Sequence, residues 1–149
     1  MNQSTLIFLA FIGGVFLAIQ GGLNAQLGVL LKNPLLASLV AFFCSTLFAS
    51  LFLIFSFQSI PSIEELKGVP HYLWFTGALF SVLGISLYYY TIPKLGISTM
   101  ISLGLFGQLT FSVIAGHFGW FGMQIESINF KRMTGVFAMI FGIFLINYK

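Results

Sequence analysis

Five long apolar runs account for most of this chain, and none of them contains Asp, Glu, Lys or Arg. Each is close to the roughly 20 residues that a helix needs to cross the hydrocarbon of a bilayer. Continuous apolar runs predict helices rather than barrel strands, because barrel strands alternate apolar and polar residues. The sequence therefore predicts an all-α integral membrane protein of a single domain, residues 1–149, with transmembrane helices at about 5–31, 34–57, 72–91, 96–116 and 133–148.

The composition supports this class of protein and excludes others. Hydrophobic residues make up 58% of the chain and charged residues 6%, whereas charged residues make up about a quarter of a typical soluble domain. The net charge of +3 is small and the basic residues are scattered, so no nucleic-acid partner is expected. Two histidines without a Cys or Asp cluster predict no metal site, and no cofactor is predicted. No nucleophile with a base lies at helix depth, so an enzyme is not expected.

Short breaks between the runs predict how the helices connect. Lys32 to Pro34 and Ile92 to Lys94 each contain a proline, and we expect tight turns at the membrane edge in which the proline ends the preceding helix. The two longer polar connections, about 58–71 and 117–132, then lie together on the opposite side of the membrane.

The charges at the ends of the runs predict an unusual assembly. One side of the membrane carries three basic residues and the other side also carries three, so the positive-inside rule gives no orientation. Either an unseen factor sets one topology, or the chain inserts both ways and forms an antiparallel homodimer, which is the sharper prediction. The two sets are Lys67, Lys131 and Arg132 on one side and Lys32, Lys94 and Lys149 on the other.

Carboxylates are confined to the connections, at Glu64, Glu65 and Glu126. A cationic substrate inside the membrane would need a counter-charge. The sequence therefore favours a neutral or aromatic small molecule as the substrate.

Small residues recur at helical spacing in the first and fifth runs. Such stripes permit the backbones of two helices to approach closely, so we expect them to mediate helix packing or a dimer contact. They are Gly14, Ala18, Gly21, Ala25 and Gly28 in the first run, and Gly135 and Gly142 in the fifth.

Amides at helix depth are the strongest candidates for a substrate site, because they carry several donors and acceptors that are costly to desolvate. Gln20 and Asn24 lie one turn apart, and Gln108 lies in the fourth run. Their other interpretation is hydrogen bonding between helices. Tyr88 falls on a small-residue face and is predicted as an aromatic wall of the site, whereas Tyr89 and Tyr90 are interpreted as part of an interfacial aromatic belt.

Several short motifs, in order, resemble those of the YdcZ (DUF606) family of the drug/metabolite transporter (DMT) superfamily. They are QGGLNAQL at 20–27, PLLA at 34–37, PKLG at 93–96, GQL at 107–109 and HFGWFG at 117–122. The resemblance implies an EamA-like half-transporter of five helices in the bacterial inner (plasma) membrane, acting as a transporter or exporter. It also implies that Asn24, Gln108 and His117 are the polar residues most important for function.

The chain departs from the family pattern just before HFGWFG. Members commonly carry Asp there, where this chain has Gly116, and often Gly where this chain has Ser45. With that acid absent, His117 is the candidate for proton coupling, because histidine is the side chain that titrates nearest neutral pH.

The predicted function is export of a small drug or metabolite by alternating access, carried out by a dual-topology homodimer in the lipid bilayer. Two alternatives remain open. One is a non-transporting partner of a larger membrane complex, whose stripes serve only for packing. The other is half of a heteromeric transporter, which the even charge count disfavours.

Overall fold

The computed structural model describes residues 2–56 and 61–148. Five of the helices described there are long and apolar enough to cross a membrane, and the third span includes a 3-10 turn, His71–Trp74. This confirms the predicted five spans and the all-α class. In chain order the α-helices are α1 (Gln3–Leu30), α2 (Pro34–Phe55), the short α3 (Ile63–Lys67), α4 (Thr76–Leu95), α5 (Ile97–Phe118) and α6 (Phe130–Asn147).

Some sequence predictions fall on residues outside this description. They are the end of the second span at Phe57, the first residues of the following connection, and Lys149 of the charge count. Elsewhere the helix ends differ from prediction by a few residues. For example, α6 begins at Phe130, earlier than predicted, because the Asn129 side chain caps it by accepting the Arg132 N–H at 2.9 Å.

The chain falls into two compact units, one ending at Lys94 and the other beginning at Leu95. Unit 1 contains α1, α2, α3 and nearly all of α4, and unit 2 contains α5 and α6. The prediction of a single domain stays a prediction.

A tight turn joins α1 to α2 in unit 1. Lys32 adopts a left-handed conformation with φ of 52°, and the Asn33 N–H donates to the Gly28 carbonyl at 3.0 Å. The Asn33 side chain then accepts from the N–H groups of Leu35 and Leu36, and Pro34 occupies the first position of α2, where its missing N–H is not needed. The predicted turn is therefore present, but its proline starts a helix instead of ending one.

The second proline was also expected to end a helix, and this prediction is wrong. Pro93 lies inside α4, which continues to Leu95. Proline has no N–H for the carbonyl four residues earlier, so the Tyr89 carbonyl lacks its usual helical donor. The break falls instead at Gly96, whose φ of 84° and ψ of 150° suit glycine.

The connection between α2 and α4 contains α3, which is held by a capping box. The Glu65 N–H donates to the Ser62 hydroxyl at 3.2 Å and the Ser62 N–H donates to Glu65 Oε2 at 2.7 Å. The backbone bond from Ser62, assisted by its side chain, holds the pKa of the Glu65 carboxyl below its usual range.

In unit 2 the chain folds back at the end of α5. Gly119 ends the helix in the left-handed conformation, with φ of 62°. A 3-10 turn, Trp120–Gly122, follows. The Glu126 N–H then returns to the Gly116 carbonyl at 2.8 Å. The residues between α5 and α6 therefore lie against the last turn of α5.

Candidate functional site

Three polar side chains meet inside unit 1, and we call them the amide–phenol cluster: Gln20, Asn24 and Tyr89. Asn24 Nδ2 donates a hydrogen bond to Tyr89 Oη at 3.0 Å, and Gln20 Nε2 donates a longer one at 3.4 Å. Tyr89 is buried, with 1% of its surface exposed, whereas both amides are half-buried. Two of the three predicted site amides therefore share one hydrogen-bond partner.

Helix periodicity and small residues bring the cluster together. Gln20 and Asn24 lie one turn apart on α1 and share a face. Immediately beside them Gly21 and Ala25 are buried, and Ile92 Cδ1 would lie 3.6 Å from a Cβ built on Gly21. The side chain of Tyr89, three residues before Ile92 on α4, therefore reaches α1 at a position where the side chains of α1 are small.

The chemistry of the cluster is uncharged. A phenol oxygen can accept two hydrogen bonds and donate one, and the Tyr89 oxygen accepts two from the amides. Its hydroxyl hydrogen can donate to a third group, and each amide also carries a carbonyl oxygen that can accept. The arrangement can therefore bind a neutral group that both donates and accepts.

The sequence favoured Tyr88 over Tyr89, and the structure brings Tyr89 to the amides. Tyr89 is buried, so its interpretation as part of an interfacial belt is wrong. Tyr88 is half-buried and lies on the face of α4 that carries Gly77 and Gly84, where an added Cβ would meet nothing within 4 Å. The role of Tyr88 at a substrate site stays a prediction.

A different pattern in the sequence could have identified Tyr89. Val82, Ser86 and Tyr89 follow one another at spacings of four and three, which places them on one face of α4. The Ser86 hydroxyl lies 2.9 Å from the Ser38 hydroxyl of α2, and Val82 lines a cavity together with α2 residues. This face of α4 packs within unit 1.

Gln108, the third predicted amide, lies on α5 in unit 2. Its grouping with Gln20 and Asn24 stays a prediction.

The small-residue stripe of α1 divides into two parts. Gly21, Ala25 and Gly28 are buried, and a Cβ on Gly28 would lie 3.5 Å from Ala37 Cβ of α2. Ala18 is half-buried and Gly14 is exposed. The C-terminal part of the stripe thus packs inside unit 1. Around Gly14, as around Gly135 and Gly142 of α6, an added Cβ would meet nothing within 4 Å.

Three ionisable residues lie together where α5 ends: His117, Glu126 and Arg132. The Ile128 N–H donates to His117 Nδ1 at 3.3 Å. Arg132 pairs with the Glu126 carboxylate and also donates to the Glu126 carbonyl. Within residues 2–56 and 61–148, no three His, Cys, Asp or Glu side chains are close enough to hold a metal ion.

Comparison with known families identifies the chain. The model of the DMT_YdcZ family, described as "Putative inner membrane exporter, YdcZ", matches residues 5–145, which reach into all five membrane helices. Comparisons with curated proteins and with solved structures found no match. The motif resemblance is therefore confirmed. With its five spans, this chain is a multi-pass inner-membrane protein and belongs to the YdcZ family of membrane transporters.

Proposed function

We propose that this chain is one half of an alternating-access exporter for small neutral or aromatic molecules. The amide–phenol cluster, together with Tyr88 and Gln108, contributes the polar surface that the substrate contacts. Two chains of opposite orientation form the working unit, and His117 carries the coupled proton.

The observation that supports this proposal is the shared hydrogen bonding of Gln20 and Asn24 to Tyr89 Oη. Polar groups inside a membrane protein are costly to desolvate and tend to face an interior or a wet cavity. Here the three side chains are uncharged, which suits a substrate without a strong charge.

A transport assay tests the site. Proteoliposomes loaded with a defined mixture of nucleosides, neutral sugars and aromatic amino acids are followed by mass spectrometry of the retained solutes. Asn24→Leu and Tyr89→Phe each remove one hydrogen-bonding group, so we expect efflux of the transported solute to slow by about five- to tenfold. Tyr90→Phe, one residue along on an exposed position, is the matched control. If the Asn24→Leu and Gln108→Leu variants both export solute at the wild-type rate, these residues do not form the substrate site.

The antiparallel dimer is supported by the odd number of spans and by the even split of basic residues. If the even split of basic residues lets the chain insert in both orientations, removing one basic residue should favour one orientation over the other. Lys32→Ala and Lys67→Ala should shift the accessibility of a C-terminal tag in opposite directions, measured from the two faces of the membrane. A tag reachable from one face only in the wild-type protein would disprove dual topology.

Proton coupling by His117 is supported by its hydrogen bond. His117 Nδ1 accepts the Ile128 N–H, and a protonated Nδ1 cannot accept. Protonation would therefore break a contact between α5 and the segment that precedes α6. Efflux driven by a pH gradient should be lost in His117→Gln, while efflux down a solute gradient continues. Equal response to the pH gradient in this variant would exclude His117.

A further inference from the structure

A cavity of about 460 Å³ lies between α5 and α6 in unit 2. Leu103 and Phe106 line it from α5, and Ile140, Ile143 and Phe144 line it from α6. Its volume falls within the range of about 300–1,000 Å³ that is usual for small-molecule sites. Such sites are mostly apolar and carry a few polar groups that orient the ligand.

The polar group of this cavity is the side chain of Asn147, in the last turn of α6. Asn147 Nδ2 donates to the Ile143 carbonyl at 2.8 Å and to the Ser102 hydroxyl of α5 at 3.2 Å. The Ser102 hydroxyl donates in turn to the Thr99 carbonyl at 2.9 Å. A continuous chain of hydrogen bonds therefore ties α6 to α5 beside the cavity.

This chain of bonds fixes which way the amide points. A carbonyl oxygen can only accept, so the amide atom that contacts the Ile143 carbonyl must be the nitrogen. The same contact therefore fixes the position of the amide oxygen, Oδ1. Among the residues that the structure describes, Oδ1 of Asn147 is a buried side-chain acceptor without a hydrogen-bond partner. Buried polar atoms without a partner are rare and call for an explanation.

We propose that the cavity binds a small neutral aromatic molecule that donates an O–H or N–H hydrogen bond to Asn147 Oδ1. The donor satisfies the orphaned oxygen. The aromatic body follows from the lining, where Phe106 and Phe144 supply rings and the ring centroid of Tyr148 lies 5.5 Å from that of Phe144. The ligand is neutral because none of the lining side chains that the structure describes is charged. Because Oδ1 is covered in this conformation, part of the cavity wall has to move before the ligand reaches it.

The cavity lies in unit 2 and shares no residue with the amide–phenol cluster, which lies in unit 1. Export through one site can therefore fail experimentally while binding at the other is retained.

Two matched ligands test the proposal on the full chain in lipid nanodiscs. The probe 2-naphthol carries the donor, and 2-methoxynaphthalene has the same rings without it. Binding is followed by the NMR shifts of the Ile140 and Ile143 methyl groups, with each ligand corrected for its partition into empty nanodiscs. We expect 2-naphthol to bind about five- to tenfold more tightly, because one hydrogen bond to a buried acceptor distinguishes the two.

Two variants assign that difference to Asn147. In Asn147→Leu the preference for 2-naphthol should vanish, whereas Thr134→Val, which removes an exposed hydroxyl from the same helix, should retain it. Equal affinity of the two ligands for the wild-type protein would overturn the proposal even if Asn147→Leu does not fold. Methyl shifts that respond only to lipid composition or protein concentration would also overturn the proposal. The cavity would then hold a lipid acyl chain or part of a second copy of the protein.

Discussion

Glu126 lies against Gly116 at the end of α5. Its N–H donates to the Gly116 carbonyl at 2.8 Å, and a Cβ added to Gly116 would lie 3.8 Å from Glu126 Oε2. The same carboxylate pairs with Arg132. An acid at position 116, as family members commonly carry, would therefore place a second carboxylate beside one arginine.

Substitution of Gly116 tests this relationship. Gly116→Ala should fit at van der Waals distance and stabilise α5 by up to about 1 kcal/mol. Gly116→Asp should be less stable than Gly116→Ala by about 1 kcal/mol or less, since the charges are partly exposed. Adding Glu126→Gln should reduce this difference to what the lower helix propensity of Asp causes. The measurement is unfolding in mixed micelles titrated with SDS. If Gly116→Asp is as stable as Gly116→Ala, the two carboxylates do not interact.

Removing the Tyr89 hydroxyl should destabilise unit 1. Tyr89→Phe leaves two amides without their shared acceptor, at a cost of about 1–2 kcal/mol. Tyr90→Phe, at an exposed position, should change stability little. In the Tyr89→Phe background, Asn24→Leu should add less destabilisation than it does alone, because the bond that it removes is already absent. Full additivity of the two changes would contradict the shared bond.

The packing of α1 on α2 should tolerate a methyl group at Gly28 but not a larger side chain. A Cβ there would lie 3.4 Å from Pro34 Cα and 3.5 Å from Ala37 Cβ. Gly28→Ala should therefore be near neutral, and Gly28→Leu should cost about 1–3 kcal/mol through overpacking. Gly14→Leu, where nothing lies within 4 Å, is the control for monomer stability. Loss of stability in Gly14→Leu would instead reveal a contact with another chain.

Substitution of the two glycines after α5 can distinguish the cost of backbone strain from the cost of steric overlap. Gly119 and Gly122 both have positive φ, 62° and 69°, but only a Cβ on Gly119 would overlap a neighbour, at 2.8 Å from Ile125 Cγ1. Gly122→Ala should cost about 1–2 kcal/mol for the left-handed conformation alone. Gly119→Ala should cost more and should expose the Glu126 N–H to hydrogen exchange. Equal costs would mean that Ile125 moves away freely.

The capping box of α3 should respond to pH through Glu65. Because the pKa of this carboxyl is lowered in the folded protein, its stabilising effect is present above the usual glutamate value of about 4.3 and is lost as the pH falls through the folded value. The Ser62 amide proton shift in NMR should therefore titrate below pH ~4.3. Glu65→Gln should abolish that titration. A midpoint at or above the usual value would contradict the bond.

Much of the fold follows from the sequence, because bilayer thickness sets the length of an apolar helix more strictly than packing does. The five spans and the turn at Asn33 needed no tertiary information. The family motifs identified Asn24, but the partner of Asn24 depends on how α4 is rotated against α1. One residue along a helix turns the side chain by about 100°, so choosing Tyr88 instead of Tyr89 selected a different face.

Other features depend on contacts between segments that no local pattern encodes. The orphaned oxygen of Asn147 arises because Ser102 and Ile143 both accept from the amide nitrogen. Glu126 reaches Gly116 because Gly119, Phe121 and Gly122, all with positive φ, turn the chain back after α5. In each case the sequence supplies suitable residues, and the register between two helices or a loop decides which atoms meet.

Pro93 changes the backbone hydrogen bonding of the helix that carries Tyr89. By bringing no N–H to the Tyr89 carbonyl, it leaves a main-chain oxygen of the clustered tyrosine free of its i+4 donor. Because this acceptor is the main-chain carbonyl, it remains present after any substitution of Tyr89. The missing helical bond is therefore set by position 93, and only a replacement there can restore it.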